Sequence, residues 1–452
     1  MIHRPILWGA LVSMLGLARA DYQLPGGDTT VFDASREAFA QPIENLSPKD
    51  FARFFSGDTL FNTNWVNASS VVDGRDGLGP LFNTRSCSSC HFKDGRGQPP
   101  KPNEIPDGFL VRISLPGNGL KGDPHPHPVY GNQISVRALP KAKPEARVSL
   151  EYEPVNGHYP DGTSYSLLKP AISIADWAYG EPGNLLQSAR VASAVYGLGL
   201  LDAISEESLI ALSDPEDRDG DGISGRPNRV WSPSRQTYSI GKYGWKANKA
   251  TLLDQTAGAF QGDIGITSPL FPNESHSLSH LDPREFPSGG SPEIEKRDLD
   301  DVVFYLKTLA PPASRFAADE IYRSGKALFE AAKCSSCHTP QFQTRDDYSI
   351  PALTGQTIYP YTDLLLHDMG EGLADHRPDF QATGTEWRTP PLWGIGLFPT
   401  VNGHSRLLHD GRARNIEEAI LWHSGEAESS KQAFMKLPRE QRLELIEFVR
   451  SL

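Results

Sequence analysis

The chain is poor in sulfur, with four cysteines and four methionines in 452 residues. It carries no positive excess: its formal net charge at pH 7 is -12, which argues against nucleic acid as a partner and suits a soluble protein. Past the N-terminus it has no apolar run approaching the about 20 residues that span a bilayer, so no transmembrane segment is expected in the mature chain. Low-complexity tracts are absent as well. What remains is length enough for two or three domains with a sizeable core.

The first twenty residues set the compartment. His3 and Arg4 precede an apolar run from Ile6 to Leu17, and Ala18-Arg19-Ala20 supplies the small residues of a cleavage site. The run is too short for an anchor, so residues 1–20 read as a cleavable signal peptide and the mature protein as exported and periplasmic.

In an exported chain, four cysteines would ordinarily suggest disulfides. Here all four fall in two copies of one pentapeptide, CSSCH, at Cys87, Cys90 and His91 and again at Cys334, Cys337 and His338. C-x-x-C-H is the c-type haem attachment motif. Two thiols three residues apart reach the two vinyl groups of one porphyrin edge, and the adjacent histidine turns beneath the ring to give iron its proximal nitrogen. Zinc would require four ligands per site where each copy offers three, and a redox dithiol has no use for the histidine. Two covalent haem c groups are the expected cofactors.

Haem modules of this kind are helical wraps closed by an amphipathic helix. Two closing helices are legible by their apolar spacing, RDLDDVVFYLKTL at 297–309 and PREQRLELIEFVRSL at 438–452, and ADEIYRSGKALFEAAK leads into Cys334. The expected fold is therefore mainly α, with two cytochrome c-like helical domains at 21–310 and 311–452 joined near Ala310-Pro311-Pro312-Ala313. A long mixed insertion, about 93–295, separates the first pentapeptide from its closing helix. It holds β-like runs at 109–115 and 146–152 and a helical candidate, SARVASAVYGLGLLDAI, at 188–204.

Two local signals stand out. In DRDGDGISG, the alternation of Asp217, Asp219 and Asp221 before Gly222 matches the opening half of a calcium loop, although its twelfth position is Asn228 where a glutamate belongs; a self-satisfied Asx-turn loop reads equally well. In NIEEAILWHSG, Asn415 caps a short helix and Glu418 completes a capping box. Ile416, Ala419 and Ile420 mark its buried stripe, and the next position on that stripe is His423, which must bond to something.

RTPPLWGIG, HDGRARNIEEAI and the two C-x-x-C-H sites resemble the bacterial di-haem cytochrome c peroxidases. LLHDMGEGLAD, DGDGISGRPNRV, YGWKAN and ILWHSGEA are more closely similar to the di-haem oxidoreductase family once labelled thiol oxidoreductases. The resemblance covers most of the mature chain. It implies that His91 is the proximal ligand of a reactive, open haem that meets peroxide or oxygen, and His338 that of a six-coordinate haem that relays electrons. Matching HDGRARNIEEAILWH onto the ligand-bearing helix of the peroxidases places His423 as sixth ligand, with Met369 the main rival and His367 and His409 weaker ones. A second imidazole in place of a thioether would lower that haem's potential.

The resemblance also leaves gaps. Trp393 stands where the peroxidases carry arginine, and their distal glutamine and glutamate find no obvious counterpart in the insertion. Trp245 and Lys246, in KYGWKAN, are candidates near the haems, an indole to bridge two redox centres and a lysine to steer an anion; ordinary interface packing is the leading alternative for both. His125 and His127, among alternating prolines, read as solvated, and His276 and His280 lie in a serine-rich loop without a reading. The leading function is a peroxidase-like oxidoreductase served by a small redox donor protein and a small-molecule oxidant. Its alternatives are a non-enzymatic electron-transfer cytochrome, or an oxygenase or protein-modifying enzyme of the same superfamily.

Overall fold

The computed structural model describes residues 24–452 apart from 72–73, 103, 275–280, 283 and 316–318. The expected signal peptide, His276 and His280 lie outside the described residues. Two crossed helix pairs frame the chain. In the first, Pro48–Asn62 starts on Ser47, whose hydroxyl accepts from Asp50 N, with proline at the first helical position. Phe54, Gly57, Leu60 and Phe61 form its buried face. That face meets Lys296–Thr308, which buries Leu299, Val302, Tyr305 and Leu306. In the second pair, Glu320–Ala331 buries Tyr322, Gly325 and Phe329 and meets Arg439–Ser451 through Phe448 and Leu445.

Glycine sets both crossings. A Cβ on Gly57 would lie 2.1 Å from Asp301 O, and one on Gly325 would lie 2.2 Å from Glu444 O. The backbones can approach this closely only where no side chain intervenes. Both glycines sit in Ser-Gly-x-x-Leu-Phe, at Ser56 to Phe61 and at Ser324 to Phe329, a repeat that the sequence reading passed over.

The expectation of a mainly α fold is overturned. The protein is 30% helical and 19% strand, with 11 helices and several small sheets among the described residues, and is mixed α/β. Most of the strand content lies between the first pentapeptide and Lys296. Arg147–His158 and Ser164–Ala175 form a long antiparallel hairpin, with Arg147 opposite Ala175 and His158 opposite Ser164. Its two strands are rich in β-branched residues and serine, and its turn is closed by Asp161 and Gly162.

Phe109–Asn118 is the centre of a three-stranded sheet, flanked by Pro124–His125 and Leu186–Val191. This last strand corrects the helix expected at 188–204. Its residues pair in register with the central strand, Val191 opposite Phe109 and Leu186 opposite Ser114, and the chain becomes helical only over Leu198–Asp202, after Gly197 at φ 71°. The apolar run has no helical stripe to defend, so sheet pairing with a distant strand wins over local propensity.

The Ala310–Ala313 join is pinned to the N-terminal segment, with Ala310 N donating to Gln41 O at 2.9 Å and Ala313 N to Val31 O at 2.8 Å. Buried apolar side chains from both halves, from Phe39 to Leu452, form one continuous cluster. Among the described residues no helix is long and apolar enough to cross a membrane.

Candidate functional site

The two pentapeptides fold alike. Each is a single helical turn closed by a backbone bond from its histidine to its first cysteine, His91 N to Cys87 O at 2.9 Å and His338 N to Cys334 O at 3.0 Å. All four cysteines are free thiols. Burial pushes Cys87 and Cys334 up to about 12 and Cys90 up to about 11, and raises Cys337 as well. Thiols held this far from ionisation are poor nucleophiles at neutral pH.

Both motifs open on one cavity of about 2600 Å³ free of atoms, its mouths included, with a mainly apolar wall. His91, His338 and His423 all line it, and their imidazoles are held in the same manner. His91 Nδ1 donates to Ser193 O at 2.7 Å, His338 Nδ1 to Tyr361 O at 3.0 Å and His423 Nδ1 to Ala419 O at 2.6 Å. A carbonyl can only accept, so Nδ1 carries the proton and Nε2 keeps the lone pair a metal needs. Burial lowers the proton affinity of all three rings, His338 to about 4, and so favours the neutral ligand form. A backbone carbonyl on the second nitrogen is the usual support for a metal-binding histidine. The donor set, the apolar wall and the paired thiols fit a haem at each motif.

The opposite sides differ. His423, as the C-cap of Ile416–Trp422, faces the His338 end closely enough for its charge to act on His338. Asn415 caps this helix as expected, its side chain accepting from Glu418 N at 2.9 Å. Among the described residues no second histidine acts on His91. Met369, the rival ligand, also lines the cavity, half-buried, with its carbonyl accepting from Ser424 Oγ.

His367 is occupied on both nitrogens, Nε2 donating to Asp363 Oδ2 and Nδ1 to Glu426 Oε2, each at 2.7 Å, with Cys337 Sγ 3.6 Å from Nδ1. Burial alone would lower its proton affinity, but the two carboxylates hold it well above the ordinary histidine range, as an imidazolium without a lone pair to give. His409 is pushed down to about 4 by burial and stacks on Trp387, centroids 3.7 Å apart. His127 Nδ1 accepts from Val129 N and Tyr130 N, and His125 is exposed.

Trp245 lines the cavity, its Nε1 donating to Val191 O at 2.8 Å. Lys246 does not; its Nζ is committed to Asp375 Oδ1 at 2.8 Å and Thr383 O at 2.6 Å, and lies 4.4 Å from the Trp387 ring. Trp393 packs against Gly197 and Tyr196, whose hydroxyl donates to Trp393 O. The carboxylates of Asp217, Asp219 and Asp221 lie within 4.8 Å of one another. Each also accepts a backbone N–H of its own loop, and Asn228 is buried instead on Lys246 O and Asp379 O.

Sequence reasoning missed Gln255 and Asp263, which line the cavity from Leu252–Ala259 and from the π-turn Phe260–Ile264. Asp263 acts on His91 and on both thiols of the first motif, and its Oδ1 accepts from Gln133 Nε2 at 2.7 Å. A π-turn is itself a mark of functional sites, but it arises from packing and leaves no sequence pattern.

The chain matches the model of the family described as "di-haem oxidoreductase, putative peroxidase" over residues 20–452. That is nearly the whole of it, and the chain belongs to this family. The family implies haem cofactors and oxidoreductase chemistry. No curated protein matches the chain.

Proposed function

We propose that the protein is an exported, periplasmic di-haem c-type oxidoreductase that reduces peroxide at one haem and takes in electrons through the other. Cys87, Cys90 and His91 would hold the first haem, and Cys334, Cys337, His338 and His423 would hold the second. The two halves, 21–310 and 311–452, are the two haem modules. Bound haem supplies one-electron redox chemistry and, where a coordination position is left open, a place for a small oxidant.

The rest falls to the chain's own residues. Ser193, Tyr361 and Ala419 carbonyls fix the tautomer and the orientation of the three histidines. His423 closes the second site against exogenous ligands. Asp263 provides the acid–base group at the first, its Oδ2, the oxygen not engaged by Gln133, taking and returning the peroxide proton, while the Gln255 amide orients the oxidant by hydrogen bonding. Trp245 stands in the wall shared by the two sites. A small redox protein is the electron donor, and a calcium ion at Asp217, Asp219 and Asp221 would steady a loop tied to Glu426 through Ser224.

The observation that carries this reading is the inequality of two otherwise matched sites, a second cavity-lining imidazole acting on His338 and, among the described residues, none acting on His91. Electron paramagnetic resonance of the ferric protein tests it. One high-spin and one low-spin haem are expected, the low-spin signal lost in His423→Ala. Two low-spin haems in every redox state, with no carbon monoxide binding on reduction, would make the protein an electron carrier instead.

A further inference from the structure

Seven cations that are less than a tenth exposed fall into two groups. Lys246, Arg190, Arg377 and Arg412 each have an aspartate: Lys246 Nζ is 2.8 Å from Asp375, Arg190 Nη2 3.1 Å and Arg377 Nη1 3.4 Å from Asp379, and Arg412 Nη2 2.8 Å from Asp410. Arg96, Lys242 and Arg388 have no carboxylate partner among the described residues. Arg96 donates Nη2 to Leu408 O, and its Nε is buried with no partner. Lys242 Nζ donates to Asp202 O at 2.9 Å and Ile204 O at 2.5 Å. Arg388 donates Nε to Gly244 O at 2.9 Å and Nη1 to Thr389 O at 3.1 Å. Carbonyls orient a cation but leave its charge uncompensated, and an uncompensated charge away from water is costly.

The division follows the cavity. The three cations without a carboxylate line it, and the four paired ones do not. The three also gather on one segment. Lys242 belongs to it; Arg388 grips Gly244 O and sends its own N–H to Trp245 O at 2.9 Å; and the Arg96 guanidinium lies 5.0 Å from the Trp245 ring centroid. Burial pushes Arg96 and Arg388 down to about 10 and Lys242 down to about 8, against the opposing pull of Asp410, Asp363 and Asp202, none of which comes within ion-pair distance. The acidic side chains on the wall are engaged elsewhere, Asp263 by Gln133 and Glu426 by His367 and Ser224. The chemistry that completes this patch is a carboxylate from outside the polypeptide, and a haem bound at either motif brings such groups on its propionate edge.

We propose that Arg96, Lys242 and Arg388 form a carboxylate-binding patch on segment 242–245 that receives the propionates of the porphyrins attached at the two pentapeptides; this rests on the di-haem reading above. The patch gives the KYGWK stretch a role that Lys246, already paired, does not fill.

Spectroelectrochemical titration of the haem-loaded protein tests this, with wild type beside Arg96→Gln, Lys242→Met and Arg388→Gln and covalent haem counted separately by its alkaline pyridine spectrum. With two haems retained, each neutral variant is expected to shift at least one midpoint potential downward, because a positive charge beside a propionate favours the reduced haem. Lys242→Arg and Arg388→Lys are expected to restore it. Unshifted midpoints in variants that hold two haems overturn the patch while leaving the di-haem reading intact; fewer than two covalent haems in wild type overturns both. Should the wild-type midpoints move on titration with acetate or phosphate, and the variants' not, the patch binds a soluble anion and the propionate assignment falls. Should a neutral variant fail to fold, the Arg/Lys exchange still decides: its potentials track the wild type if charge at the haem edge is what matters.

Discussion

Around His91 and around His338 the chain repeats one construction. A Ser-Gly-x-x-Leu-Phe helix crosses a closing helix at its glycine, and its phenylalanine lies against the motif histidine, Phe61 at 6.2 Å from His91 and Phe329 at 6.3 Å from His338 between ring centroids. A backbone carbonyl then fixes each imidazole. The sites part company in what surrounds this frame. Tyr305 on the first closing helix, whose hydroxyl donates to Asp94 Oδ1 at 2.6 Å, is replaced in the second by Phe448, and Gln341 stands at the place of Asp94. The second site gains His423 and the buried His367 with its two carboxylates; the first gains Asp263 on the π-turn, with Gln255 on the helix before it also in the cavity wall. The frame is common to both sites, and the polar groups around it are what set them apart.

The comparison can be broken most completely at the motifs. Cys334→Ala with Cys337→Ala is expected to reduce covalent haem from two per chain to one and remove the low-spin ferric signal while the high-spin signal stays; loss of the high-spin signal instead would reverse the assignment of roles. Next in size, Asp263→Asn should lower peroxide turnover by about 10²- to 10⁴-fold, the usual worth of a positioned acid–base group. Haem content and both spin states should be unchanged, and full activity would remove Asp263 from the chemistry.

The shared frame is tested by Gly57→Ala and Gly325→Ala. Alanine is the better helix former by about 1 kcal/mol, but the built Cβ at either position meets a backbone carbonyl that cannot step aside. Each substitution should destabilise by about 1–3 kcal/mol in denaturant unfolding. Markedly unequal losses would show that the two crossings are not equivalent.

The smallest effect sharpens the contrast between Asp94 and Gln341. Burial raises Asp94 to about 7, against Tyr305's hydrogen bond, which lowers it. A carboxyl that holds its proton more tightly when folded contributes stability that is full below the ordinary carboxylate range and is lost as pH rises toward about 7. Asp94→Asn should therefore flatten the fall in unfolding free energy over that window, and Gln341→Glu should leave the wild-type profile at the first site untouched. An unchanged slope in Asp94→Asn would place the titration elsewhere.

Much of the frame was legible because it is local. Both closing helices appear where their apolar spacing put them, as Lys296–Thr308 and Arg439–Ser451, and the Asn415 cap sits where expected. The strands at Phe109–Asn118 and Arg147–His158 grew from the β-like runs. The helix expected at 188–204 failed because its partner strand lies about eighty residues upstream, and no window of sequence contains both. The mainly α expectation failed for a different reason: most strand pairs here are local hairpins, such as Arg147–His158 with Ser164–Ala175, whose alternation is weak when read alone.

The amino-acid sequence by itself determined the two pentapeptides, their shared histidine and the short helix that ends in His423, because each is written within a dozen residues. Only the tertiary structure decided that all three histidines face one cavity with Nε2 uncommitted, that Lys246 is neutralised while Arg96, Lys242 and Arg388 are not, and that Gln255 and Asp263 stand in the wall. Charge compensation and ligand geometry are relations between residues far apart in the chain, and burial, which sets the cost of leaving such a relation unmet, exists only once the chain has folded.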